Sequence, residues 1–156
     1  MISYIIQTLM GAIGSVGFAV VFNTRGKRLV FFFLGGALAW AVYLLCVHNG
    51  ANVFTGLLLA TMTAGLSSEI LARVIHAPVL ISLVPMLIPL IPGSDLYYCM
   101  DALVRSDMDV FLSRGTSAII AAGAIGLGII CTTAVSHIIF SIVNHVKRTT
   151  AHPHNP

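Results

Sequence analysis

The feature that most constrains this chain is a succession of uncharged apolar stretches, each close to the length of a membrane-spanning helix. Residues 2–22 and 29–47 contain no charged side chain and are separated only by a short basic turn. Because one span needs about 20 apolar residues, the chain has room for at most about five or six. Charged residues make up only 8% of the sequence, against about 25% in soluble domains, which excludes a soluble globular fold.

The pattern predicts an all-α integral membrane protein with five transmembrane helices, the fourth broken by prolines. The five apolar segments are residues 2–22, 29–47, 53–75, 77–100 and 115–143. We expect a short polar interfacial helix over residues 101–114. Residues 1–148 then form one membrane domain, and residues 149–156 a disordered polar tail, since the tail has nothing to bury.

The positive charges predict the orientation, because Lys and Arg are enriched in cytoplasmic loops. Five crossings put six of these residues on one side and two on the other. The larger group is Arg25, Lys27, Arg28, Arg73, Lys147 and Arg148, and the smaller is Arg105 and Arg114. The N-terminus is therefore expected outside and the C-terminus in the cytoplasm. If the proline segment did not cross, this bias would vanish.

Small residues recur every four positions in three of the apolar stretches. The sets are Gly11, Ser15 and Ala19; Gly56, Ala60 and Ala64; and Ala124, Gly128 and Thr132. Such stripes let helix backbones approach closely in lipid. They predict a packed helical bundle.

The proline-rich stretch 84–98 carries the functional hypothesis. Pro85, Pro89 and Pro92 are predicted to break the helix, and Ser94 or Asp95 to cap a new one. Backbone freed by proline is tolerated at membrane depth only where protein buries it or where it lines a water-filled cavity. A restarted helix also presents free N–H groups and a positive dipole end, which suit a carboxylate.

Discontinuous helices of this kind form the substrate sites of many secondary transporters. The substrate-binding candidates are therefore Pro92, Gly93, Ser94, Asp95 and Tyr97. Asp95 is either an N-cap or a proton-carrying carboxyl, and Tyr97 is either an interfacial anchor or a site residue. The alternative is a kinked span that only packs against its neighbours.

Three further residues are candidates for gating or proton coupling. Glu69 and Arg73 are spaced to pair on one helix face near the cytoplasmic end, where they either stop the span or form a gate. His137 lies inside the fifth apolar stretch, where it either relays protons or is buried and hydrogen-bonded.

Other chemistry is not indicated. The chain has no phosphate loop and no hydrolase or zinc-protease motif, so neither an enzyme nor a cofactor is expected. The three cysteines are widely spaced, and His152 and His154 in the tail are only a weak metal signal, so no metal site is expected. Because the eight Lys and Arg residues form no run of five or more, nucleic acid is not an expected partner.

Residues 68–100 also carry a combination of motifs. These are Glu69 with Arg73, Ala77-Pro78, Val84-Pro85, Ile88-Pro89, Pro92-Gly93-Ser94 and Tyr97. The combination resembles the C-terminal membrane half of the threonine/serine exporter family. Gly35-Gly36, Trp40 and the basic turn extend the resemblance over nearly the whole chain. It implies the stand-alone small subunit of a two-component exporter in a bacterial inner membrane, similar to a succinate exporter and requiring a larger membrane subunit.

We therefore expect one subunit of a secondary exporter for small carboxylates. Dicarboxylates such as succinate come first and threonine or serine second, with Asp95 or Glu69 carrying a coupling proton. The expected partners are the larger subunit, the carboxylate substrate and membrane lipid, with a second copy of the chain as a further candidate. The alternatives are a non-transporting scaffold or regulatory subunit and a homo-oligomeric channel or transporter.

Overall fold

The computed structural model describes residues 2–75 and 78–151, and every regular element in these ranges is helical, as predicted. The helices are α1 (Ile2–Val21), α2 (Leu29–His48), α3 (Val53–Ile75), α4 (Val79–Leu87), α5 (Gly93–Val104) and α6 (Met108–Ala151), with 3₁₀ turns at Gly26–Arg28 and Ile88–Leu90. Four helices of the described part are long and apolar enough to cross a membrane, and the bent α4–α5 pair gives a fifth if it is one span. Of the predicted tail, residues 149–151 belong to α6, and residues 152–156 with His152 and His154 lie outside the described residues.

Three helices end in the same backbone motif, which places the turns. Asn23, Gly50 and Ser106 follow α1, α2 and α5 with positive φ angles of 61°, 82° and 59°. The N–H of the next residue bonds to the carbonyl five positions back, as in Ala51 to Cys46 at 3.0 Å. A residue in the left-handed conformation at the end of a helix lets the following N–H groups bond to carbonyls that the helix leaves unpaired. It also turns the chain away from the helix axis directly after the last helical residue.

The helices pack in a defined order. α1 packs on α2, α2 on α3 and α3 on α6, while α4 lies against α1, α2 and α3. All nine small residues of the predicted stripes are buried, so their role in packing is confirmed. A Cβ at Gly128 would lie 2.7 Å from the Cβ of Thr61, and one at Gly65 would lie 2.7 Å from Cγ2 of Thr132. Thr61 thus faces Gly128, and Gly65, four residues later on α3, faces Thr132, four residues later on α6. Because the residue numbers rise together on the two helices, α3 and α6 run parallel.

The proline segment differs in detail from the expectation. Pro85 lies within α4, which continues to Leu87, and Pro89 lies in the following 3₁₀ turn. The break falls at Pro92, where α4 and α5 meet at 59°. Pro85 is fully buried, and α4 continues past it for two residues despite the backbone hydrogen bond that its ring removes.

The expected interfacial helix over residues 101–114 is wrong. Residues 101–104 end α5, and residues 108–114 begin the long helix α6. The carboxylate of Asp107 accepts a hydrogen bond from the Val110 N–H at 3.2 Å and so caps α6. The polar residues therefore form a turn between two antiparallel helices, with α5 packed against the N-terminal part of α6.

Candidate functional site

A cavity of about 430 Å³ lies where the α4–α5 break meets α2, α3 and α6. Much of its wall is apolar, and Tyr43, Leu57 and Pro89 contribute to it. Its charged groups are Asp95 at the start of α5 and Arg114 on α6. A concave, mostly apolar space of a few hundred Å³ with a few converging polar groups is typical of a small-molecule site.

An ion pair joins the two charged residues across the helical hairpin. Arg114 Nη1 donates to Asp95 Oδ1 at 2.9 Å. Asp95 lies in the first turn of α5, where the helix dipole favours a negative charge. Arg114 also lies 5.6 Å from the ring centroid of Tyr98, within the range of a cation–π contact. Both charges are thus held at the cavity wall by contacts on two helices.

A ligand can replace the contact between the Arg114 and Asp95 side chains. The side chains of Arg114 and Asp95 are 49% and 25% exposed. A solvent-exposed ion pair contributes only about 0–1 kcal/mol, because water screens the attraction. A ligand that carries its own opposite charges can therefore separate the two side chains at small cost.

The structure brings together three of the predicted substrate-binding residues. Pro92, Ser94 and Asp95 line the cavity. Gly93 begins α5 beside it but is not part of the lining, and Tyr97 is 67% exposed with its ring packed edge-on against Tyr98. Of the five candidate substrate-binding residues, only residues 92, 94 and 95 therefore line the cavity at the helix break.

The predicted helix cap at Ser94 or Asp95 is wrong. The N-cap position is Pro92, and no side chain caps the helix there. The N–H of Leu96 bonds to the Pro92 carbonyl at 3.1 Å, so Ser94 and Asp95 already lie inside the first turn. From that position the Asp95 carboxylate points to Arg114 instead of to the backbone.

The candidate gate lies at the other end of α3. Arg73 Nη2 lies 3.4 Å from Glu69 Oε2, so the predicted pairing is confirmed. Glu69 follows the cavity residue Leu57 by twelve residues along α3, a rise of about 18 Å. The cavity and the Glu69–Arg73 pair therefore lie near opposite ends of the same helix.

His137 takes no part in either group of charges. Its side chain is exposed on α6, so the expectation of a buried, hydrogen-bonded histidine is wrong for this chain. Among the described residues, no set of three His, Cys, Asp or Glu side chains is placed to hold a metal ion.

Sequence reasoning missed Arg114 and Trp40 as site residues. Asp95 lies ten residues before the turn at residues 105–107 and Arg114 seven residues after it, so a predicted α5–α6 hairpin would have placed them on facing helices. Trp40 lines the cavity, packs against Gly11 and carries a buried Nε1 without a hydrogen-bond partner. Its position needs the α2–α4 packing, which the sequence pattern does not give.

Apolar helices, a broken helix and a charged cavity at the break are together the features of a multi-pass membrane transporter. The family model for the threonine/serine exporter, ThrE, matches residues 7–148, and the chain belongs to this family. The resemblance carried by residues 68–100 is thereby confirmed, and the family is one of transporters, not enzymes. No solved structure matches the chain.

Proposed function

We propose that the chain is the membrane subunit of an exporter for small zwitterionic amino acids, with threonine and serine as the leading substrates. The observation that carries the proposal is the Asp95–Arg114 pair at the cavity wall. An α-amino acid brings one carboxylate and one ammonium group. Its carboxylate pairs with Arg114 and its ammonium with Asp95, so every charge keeps a partner when the protein pair opens.

A dicarboxylate such as succinate is the second candidate substrate, and the same pair disfavours it. One carboxylate of succinate would face Arg114, but the other would face Asp95. Two like charges 4 Å apart repel by about 4 kcal/mol at an effective dielectric constant of 20. Succinate therefore requires Asp95 to be protonated or turned away, whereas a zwitterion does not.

The proposed topology has five crossings, with α4 and α5 forming the broken fourth span of a bacterial inner-membrane protein. The distribution of Lys and Arg supports an external N-terminus and a cytoplasmic C-terminus. The cavity, which includes Val53 at the start of α3, then faces the outer side. Glu69 and Arg73 lie toward the cytoplasm, where they serve as an inner gate.

The proposed partner is a larger membrane subunit of the same exporter. Large apolar side chains on α1, α2, α5 and α6 are exposed, which leaves surfaces for another membrane chain or for lipid. Asp95 is the preferred carrier of a coupling proton and Glu69 the second, because carboxylates within the membrane segments of transporters often belong to proton relays.

The test is efflux of labelled threonine, serine and succinate from cells that express this chain, the larger subunit, or both. We expect efflux of threonine and serine only when both chains are present. Efflux from this chain alone would instead support a homo-oligomeric transporter. No efflux from any combination would favour the scaffold function.

Variants of the pair then locate the site. Asp95→Asn and Arg114→Gln should each abolish most of the efflux while the complex still assembles. The matched control is Asp101→Asn, because Asp101 pairs with Arg105 on the same hairpin at 2.9 Å and neither residue lines the cavity. If Asp95→Asn leaves efflux and its pH dependence unchanged, the proposed site is wrong.

A further inference from the structure

We propose that the seam between α3 and α6 is the closed continuation of the cavity, and that the Thr61 hydroxyl is the substrate contact at its midpoint. This inference rests on the proposed transport function. Leu57 on α3 and Ala121 on α6 line the cavity. One turn further along α3 is Thr61, which contacts Gly128 of α6. The seam therefore begins at the cavity wall.

The seam continues from Thr61 toward the proposed inner gate. The next turn of α3 carries Gly65, which faces Thr132, and the turn after that carries Glu69. These α3 positions follow one another at intervals of one helical turn. The route from the Asp95–Arg114 pair to the Glu69–Arg73 pair thus runs along one helix pair.

Among the described residues, two hydroxyl side chains are fully buried without a hydrogen-bond partner, Thr61 on α3 and Ser82 on α4. Thr61 is the one that lies between α3 and α6, and it is 0% exposed. Eight other hydroxyls donate to the carbonyl four residues back along their helix. They are Thr8, Ser15, Thr63, Ser67, Thr116, Ser117, Thr132 and Thr133. Unlike these eight side chains, Thr61 lies in the seam with its hydroxyl unpaired.

An unpaired hydroxyl is costly where no water reaches it. A valine of nearly the same shape would fill the seam without that cost. The hydroxyl gains a partner if the seam opens and a substrate carboxylate or ammonium group enters. This accounts for a polar side chain at a position where packing alone favours an apolar one.

The contacts across the seam allow it to open. Small residues meet there, and the hydrogen bond from Thr132 Oγ1 to the Met62 carbonyl is long, at 3.4 Å. Thr132 Oγ1 also donates to the Gly128 carbonyl of its own helix at 2.9 Å. The bond to Met62 can therefore break without leaving the Thr132 hydroxyl unpaired. Separation of α3 and α6 therefore costs mainly van der Waals contact.

The first experiment compares Thr61→Val with Thr61→Ser in the complete exporter. Thr61→Val should lower threonine efflux about tenfold, the effect of losing about one good hydrogen bond, and should leave the melting temperature of the purified complex unchanged or higher. Thr61→Ser should restore most of the efflux. The matched control is Thr63→Val, because Thr63 lies on the same helix but donates to the Leu59 carbonyl.

Three results would overturn the inference. One is that Thr61→Val exports threonine at a rate within twofold of the wild type. Another is that Thr61→Val lowers both the efflux and the melting temperature of the complex, which would give the hydroxyl a structural role. The third is failure of Thr61→Ser to restore efflux, since packing would then explain the loss.

A second experiment keeps the inference testable if the wild type exports none of the substrates offered. In a background where Cys46, Cys99 and Cys131 are replaced, Thr61→Cys is treated with a small water-soluble thiol reagent in cells expressing both subunits. Reaction at this position shows that the seam opens to water, whatever the substrate. No reaction over many hours, while an externally exposed Ser94→Cys reacts, would show a permanently closed interface.

Discussion

Neutralising Asp95 should change the selectivity of the exporter, not only its rate. In the proposed complex the Asp95 carboxylate attracts the ammonium group of threonine and repels the second carboxylate of succinate. Asp95→Asn removes both effects and keeps the shape of the side chain. Threonine should therefore bind more weakly to the variant, and succinate more tightly.

The size of the change follows from the exposure of the pair. A charge pair at 4 Å interacts by about 4 kcal/mol at an effective dielectric constant of 20, but exposed pairs contribute only about 0–1 kcal/mol. Asp95 is 25% exposed and Arg114 is 49% exposed, so the interaction energy should lie between these limits and closer to the lower one. We take about 1.4 kcal/mol, a factor of about ten in affinity, both for the loss of threonine binding and for the gain of succinate binding. The ratio of the two affinities should then change about a hundredfold.

The assay is inhibition of labelled threonine counterflow by unlabelled threonine and by succinate in membrane vesicles that contain both subunits. The inhibition constants for Asp95→Asn are compared with those of the wild type and of Asp101→Asn, which should not change. If Asp95→Asn shifts both constants by the same factor and in the same direction, Asp95 does not face the substrate charge, and the reasoning is refuted.

Two further predictions concern packing and the boundary of the site. Gly128→Val should destabilise the complex by about 1–3 kcal/mol, because its side chain would meet Thr61 in a seam without free space; a melting curve checks this, and an unchanged midpoint would contradict the tight packing. Tyr97→Phe should leave threonine affinity within twofold, because Tyr97 does not line the cavity; a larger loss of counterflow affinity would place its hydroxyl in the site.

Much of the fold could be predicted because apolar length and small-residue spacing act locally. The stretches 2–22, 29–47 and 53–75 match α1, α2 and α3 closely. The stripe through Gly128 identified a buried helix face, because close approach of backbones in lipid depends on side-chain size alone. Neither inference needs knowledge of which helices are neighbours.

The parts that could not be predicted depend on tertiary contacts and on single turns. Proline chemistry predicts a break at Pro85, yet α4 passes this residue, so the bend falls at Pro92. The α5–α6 hairpin depends on the left-handed backbone of Ser106 and on the cap at Asp107. Without that hairpin, Arg114 appeared only as one of two charges on the outer side, and its pairing with Asp95 was missed.

The most direct test of the central claim is a ligand series on the assembled wild-type complex. Binding of threonine, threonine amide, N-acetylthreonine and succinate is measured by the ligand-dependent shift in melting temperature at equal concentrations. The account predicts a clear shift with threonine and a much smaller one with each of the other three, since each lacks one of the two charges or adds a carboxylate opposite Asp95. An equal or larger shift with N-acetylthreonine or succinate would contradict it.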